Sequence, residues 1–170
     1  GVPAARIKAR VAARAVGDAM APAPARRIEA LLDRAPSFGD GDALPPTFHW
    51  GYLADEVRQS DLGADGHERL GLFLPPAPFP RRMWAGSDIA VHAPLRLGRP
   101  ARRETVVEGI DFKEGRSGAL MFLRLRHRLT QGGEPRVEEV QTLVYRDRGQ
   151  AEPALRAPAD PVPEGFLVHD

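Results

Sequence analysis

The clearest hydrophobic pattern lies in GALMFLRLRHRLTQG (residues 118 to 132), where Met121, Leu123, Leu125 and Leu129 share one parity with His127 while Arg124, Arg126 and Arg128 take the other. Successive side chains of a strand point to opposite faces, so this alternation predicts a strand with one apolar and one arginine-rich face. The apolar face must be covered by a helix or another sheet. Three more extended segments surround it: MWAGSDIAVHAPLRLG (83 to 98), ARRETVVEGIDFKEG (101 to 115) and RVEEVQTLVYRD (136 to 147). Turns such as GRP, EGRSG and QGGEP separate them, and the order predicts an antiparallel meander.

Upstream the period changes. Ile7, Val11 and Ala15 fall at helical spacing among Arg6, Lys8, Arg10 and Arg14, which predicts a basic, loosely packed N-terminal helix. A second helix is signalled by Pro22 and Pro24 ahead of ARRIEALLDR, in which Ile28, Leu31 and Leu32 share a face; it should end by Ala35, before Pro36. From residue 37 to 79 breaker clusters (GDGDALPP, DLGADGH, LPPAPFP) predict a long loop interrupted by short helical turns around WGYLADEV. A loop of that length inside a compact domain is a functional signal. Residues beyond 149 are polar and proline-rich and read as a tail. The fold class expected is α+β, a curved antiparallel sheet wrapped around a helix, with one domain over 25–148, an N-terminal arm over 1–24 and a tail over 149–170.

At 170 residues the chain supports one core. With no cysteine, disulfides, thiolate nucleophiles and cysteine-bound metals drop out. No run approaches the ~18 apolar residues of a membrane span, and the chain does not open on a secretory signal pattern. Basic and acidic residues nearly balance, 24 against 23, so the total charge marks neither a nucleic-acid nor a membrane binder. Arginine outnumbers lysine, present only as Lys8 and Lys113, as in GC-rich bacterial genomes; a bacterial cytoplasmic protein is expected.

Several words then become informative: LPPTFHWGY (44 to 52), LGADGH (62 to 67), LPPAPFPRRMWAGS (74 to 87), PLRLG (94 to 98) and FKEGRSGALMFLRL (112 to 125), closed by EEVQTLVYRD. Over roughly residues 25 to 148 the chain resembles the N-terminal half of the double-hot-dog hydratases related to MaoC, in particular the mesaconyl- and 3-methylfumaryl-CoA hydratase group and the mitochondrial 3-hydroxyacyl-thioester dehydratases. The resemblance implies a hot-dog fold, two units joined in one continuous sheet, a pantetheine tunnel between them, and reversible addition of water across an enoyl thioester.

The sequence departs from the catalytic units of that superfamily. Those carry G-D-x-N-P-x-H, whose Asp and His flank the reacting water and share the proton transfers. Here Gly39 and Asp40 begin the word, but Pro45 stands where the His belongs, and neither Asp42 nor Asp61 has a His five residues on. In the full-length relatives the second half carries the word, and this sequence stops at Asp170, before such a stretch would begin. The expectation is therefore the acyl-holding half of a hydratase or dehydratase, paired as a homodimer or with a catalytic hot-dog subunit. CoA or an acyl carrier enters as part of the substrate, and no separate cofactor, nucleic acid or membrane is expected.

Candidate site residues follow from chemistry. Asp65 and His67 flank Gly66 and offer a local acid–base pair, or an Asx turn with an exposed His. His49 and Trp50, after Pro45-Pro46, stand where an aromatic covers an acyl or adenine group, or where Trp50 packs in the core beside a surface His. Arg81 and Arg82 suit phosphate clamps. Trp84 and Gly86 follow, and a glycine there admits a thioester carbonyl to backbone N–H groups, or forms a bulge. Lys113, Gly115, Arg116 and Ser117 make a cationic turn for a nucleotide phosphate, or simply a hairpin. His127 sits on an apolar face and is read as a hydrogen-bonded core residue. Asp88 and His92, four apart in a strand, lie about 13 Å apart and are no metal pair. No other spacing suits a metal, and no phosphate loop or G-x-S-x-G elbow occurs. Two other functions remain open: an acyl-CoA binding or scaffolding subunit without catalysis, and a hot-dog thioesterase using Asp65 or Glu56.

Overall fold

The structure, a computed structural model, describes residues 13–115 and 118–146. In chain order its elements are β1 (Ala13–Asp18), α1 (Pro22–Leu31), two 3₁₀ turns (Phe48–Gly51 and Gln59–Asp61), β2 (Arg81–Val91), β3 (Ala101–Gly115), β4 (Gly118–Gln131) and β5 (Glu134–Arg146). The strands form one antiparallel sheet in the order β1-β3-β4-β5-β2.

The alternation of the C-terminal half is realised as expected. On β4, Met121, Leu123, Leu125 and Leu129 are all buried. Their arginine neighbours face the opposite side, where Arg124 pairs with Asp111 on β3 and Arg126 with Glu108 and Glu138 on the flanking strands. The four-segment meander needs correction, because only β3, β4 and β5 run consecutively and β2 pairs with β5. Only two residues separate β3 from β4 and β4 from β5, whereas residues 92–100, with Pro94 and Pro100, are long enough to carry the chain across the sheet. That crossing is held by Gln131, whose side chain accepts from the Arg96 amide and donates to the Arg96 and Arg99 carbonyls.

Residues 13 to 16, expected to close a basic helix, belong instead to the strand β1; residues 1–12 lie outside the described residues. An exposed edge of β3 offers unpaired backbone groups, and β1 satisfies them. Asp18 then fixes the exit, its carboxylate accepting the amides of Met20 (2.6 Å) and Leu53 (3.0 Å).

The second helix starts at Pro22, where a missing N–H costs nothing. The amide of Ala25 finds the Tyr52 hydroxyl at 2.9 Å, and that hydroxyl donates to the Ala21 carbonyl. The face expected to be buried is corrected too: Ala25 and Glu29 are buried, while Leu31 is 83% and Leu32 49% exposed. The reason is Glu29, whose carboxylate accepts the amides of Ser37 and Phe38 and the Ser37 hydroxyl, turning that side of α1 toward the following loop.

Two apolar clusters lie on the concave face of the sheet. One joins α1 and the first 3₁₀ turn to Leu95, Leu97, Leu129 and Val137. The other joins the loop residues Phe73, Leu74, Ala77 and Phe79 to Val107, Leu123, Leu125 and Leu143. The result is the hot-dog arrangement expected, a curved antiparallel sheet about one helix, in which the 32–80 loop supplies much of the cover.

Candidate functional site

Strand register lines up Arg14, Thr105, His127, Glu139 and Ile89, one residue from each strand. This largely polar row lies between the Leu129–Val137 and Val107–Leu125 pairings, and so separates the two apolar clusters. Polar groups buried in an apolar setting require partners.

Glu139 is the hub. It is 4% exposed and its carboxylate accepts from His49 Nε2 (3.1 Å), Trp50 Nε1 (3.0 Å) and the Ser87 hydroxyl. Burial pushes its carboxyl pKa up, but the hydrogen bonds from His49, Ser87 and Trp50 outweigh this and bring it to about 2. Ser87 reaches the row because β2 is bulged between Trp84 and Gly86. The extra residue resets the alternation, so that Trp84 Nε1 donates to Ser87 Oγ at 3.3 Å. Trp50 and Trp84 meet edge to face, centroids 6.3 Å apart, and remain 56% and 58% exposed.

His127 occupies the middle. Its Nδ1 lies 2.8 Å from the Thr105 hydroxyl and its Nε2 3.2 Å from the Gln141 carbonyl oxygen, so the ring donates from Nε2 and accepts at Nδ1. Burial lowers its pKa, and the Gln141 contact opposes that only in part. The imidazole is therefore neutral near pH 7. Beyond it, Arg103 pairs with Asp55 at 2.6 Å, and Arg14 pairs with Glu68 at 2.7 Å while lying 4.4 Å over the Phe73 ring.

Three cavities open along this face. A volume of about 170 Å³ beside His49, Trp50 and Glu139 shares Arg103, His127 and Gln141 with one of about 380 Å³ under the 55–74 loop. The second shares Glu68 and Arg82 with a third of about 580 Å³ walled by Phe79 and Tyr145. They lie side by side, with these residues as shared walls.

The residues proposed from sequence do not all meet in one place. His49, Trp50, Trp84 and His127 meet at the polar row, but with burial reversed for the adjacent pair: His49 is inside and Trp50 outside. Arg82 lines the two larger cavities. Asp65 and His67 sit at the tip of a small hairpin, where Asp65 accepts the His67 amide at 3.1 Å, the geometry of an Asx turn; both are exposed, although His67 also borders the 380 Å³ cavity. Arg81 is half-buried at the start of β2, and Gly86 adjoins the bulge. Lys113 is exposed and stands 5.0 Å over the Phe122 ring, away from the cavities, while Arg116 and Ser117 lie outside the described residues. Among the described residues no group of three His, Cys, Asp or Glu side chains is placed to hold a metal, and no helix is long and apolar enough to cross a membrane.

Glu139 and Gln141 were missed by the sequence reading. Their signal is parity: in Val137, Glu139, Gln141, Leu143 and Tyr145, two polar side chains interrupt an inward apolar face.

Comparison with known proteins agrees with this architecture. The chain is 48% identical over 111 residues to the mesaconyl-C(4)-CoA hydratase of Chloroflexus aurantiacus, a match covering 65% of this chain and 40% of that protein. The chain thus spans less than half the length of that relative. Among solved structures it is similar to the ChsH1–ChsH2 complex of Mycobacterium tuberculosis, with a TM-score of 0.60, 16% identity and coverage of 85% of this chain and 88% of the other. The sequence pattern of hydroxyacyl-thioester dehydratase type 2 matches residues 47–166, and the chain belongs to that family.

Proposed function

We propose that this chain is the acyl-holding half of a hydratase or dehydratase that reversibly adds water across an enoyl-CoA or enoyl-carrier thioester, of mesaconyl type. The observation that carries the reading is the series of cavities along the concave face, bounded by a hydrogen-bonded polar row, in a chain of this family. Such a series, with Leu74, Leu125 and Phe73 beside many fixed polar groups, suits an acyl–pantetheine arm, whose amides need partners along its length.

The row positions and does not itself transfer protons. Glu139 is ionised over the whole physiological range, and both ring nitrogens of His127 are engaged. The ring of His67 makes no hydrogen bond to Asp65 among the described residues. The water-activating Asp and His therefore come from a second hot-dog unit. The open edge of β2, with Met83, Trp84 and Val91 each about half exposed, is where that unit adds its own strand to the sheet.

The test follows the loss of enoyl absorbance with mesaconyl-CoA and crotonyl-CoA, using the chain alone and then with a hot-dog protein bearing the Asp and His. Turnover only in the mixture is expected. Turnover by the chain alone overturns the acyl-holding assignment and directs attention to Asp65 and His67.

A further inference from the structure

Arg82 on β2 and Tyr145 on β5 are direct register partners, and both border the 580 Å³ cavity. Tyr145 is 2% exposed, yet its hydroxyl has no hydrogen-bond partner among the described residues. A buried phenol normally finds one, and because Tyr145 borders a cavity, an acceptor held there would take this donor. The half-buried Arg82 guanidinium makes no hydrogen bond or ion pair among the described residues. The other charges of this wall are spoken for: Glu68 is held by Arg14, Arg69 by Asp61, and Asp65 is exposed on the rim with an oxygen on the His67 amide. The phenol ionises less readily than usual, chiefly because it is buried.

We propose that Arg82 and Tyr145 form a carboxylate-binding subsite for the far end of the acyl group, making the chain selective for dicarboxylyl thioesters. The inference rests on the acyl-holding reading above. A guanidinium and a phenol O–H on paired strand positions beside one cavity are the donors a carboxylate accepts, and Leu70 and Phe79 on the same wall suit the carbon chain behind it. Arg82 also borders the neighbouring 380 Å³ cavity, so the subsite adjoins the space beside His127. A phosphate of CoA is the other anion these donors fit, and the experiment separates the two.

Calorimetric titration of the wild-type chain, Arg82→Gln and Tyr145→Phe with mesaconyl-CoA, crotonyl-CoA, CoA and free mesaconate tests the proposal. Both variants are expected to bind mesaconyl-CoA about tenfold more weakly and to bind crotonyl-CoA and CoA as the wild type does. Tyr145→Phe removes an orphaned hydroxyl, so its melting midpoint stays or rises, which separates a binding role from a structural one. Equal weakening toward all three CoA compounds assigns the pair to a phosphate and overturns the carboxylate subsite, as does no weakening at all. If the wild type binds no thioester, the acyl-holding reading fails, and mesaconate reads the subsite alone: saturable binding lost in Arg82→Gln sustains it, and no binding overturns it.

Discussion

A carboxylate carried into a protein interior survives only if donors replace its water, and Glu139 recruits three from two separate segments, the first 3₁₀ turn and β2. An ordinary glutamate titrates near 4.5, and here the folded value is about 2, so the unfolded chain takes up the proton first as pH falls. The stabilisation is complete above about pH 4.5 and disappears as pH drops toward 2; its full size is about 2–3 kcal/mol. Glu139→Gln should unfold at lower urea concentration at neutral pH, and its deficit should shrink in titrations run from about pH 5 downward. His127 has the opposite charge logic. Its folded pKa lies below the ordinary 6.5, so protonation favours the unfolded chain once pH falls below that value. Gln141→Leu removes a contact that raises the pKa and should depress it further, as followed by NMR of the ring protons. At this scale the sequence was partly legible. His49 and Trp50 could be singled out as an aromatic and a titratable group after two prolines, but which of them turns inward depends on Glu139, 90 residues further on.

Among the elements, β3 to β5 were legible because strand alternation is a local property. The pairing of β2 with β5 and the strand character of β1 were not, because each depends on which sheet edge remains open. Helical spacing through Ala15 and strand alternation through Val16 are both compatible with so short a segment, and only the edge of β3 decides. β1 also braces the loop above the cavities through Arg14. Arg14→Ala removes the ion pairs to Glu68 and Asp55 and the contact with Phe73, and should cost about 1 kcal/mol while speeding amide exchange at Gly63 and Arg69. The turn before β3 has a sharper requirement. Gly98 has φ +71° and a Cβ there would lie 2.6 Å from the Asp40 carboxylate, so Gly98→Ala should destabilise by about 1–2 kcal/mol, measurable by thermal melting.

For the molecule as a whole, the sheet ends on two unlike edges. β1 is short, whereas β2 is long and presents Met83, Trp84 and Val91 to solvent. A long apolar edge invites another strand, and Val91→Lys should weaken association with a hot-dog partner in sedimentation without changing the far-UV spectrum of the separate chain. The polar row has another bearing, on how tolerant this scaffold is of change. Because Leu97 and Leu143 belong to clusters on either side of it, truncating both to alanine should cost the sum of the two single losses to within about 0.5 kcal/mol. Each end of the interior is then an independent dial: residues beside Leu143 can be resized to admit a different cargo while those beside Leu97 keep the chain folded, a modularity that a single seamless interior would not permit.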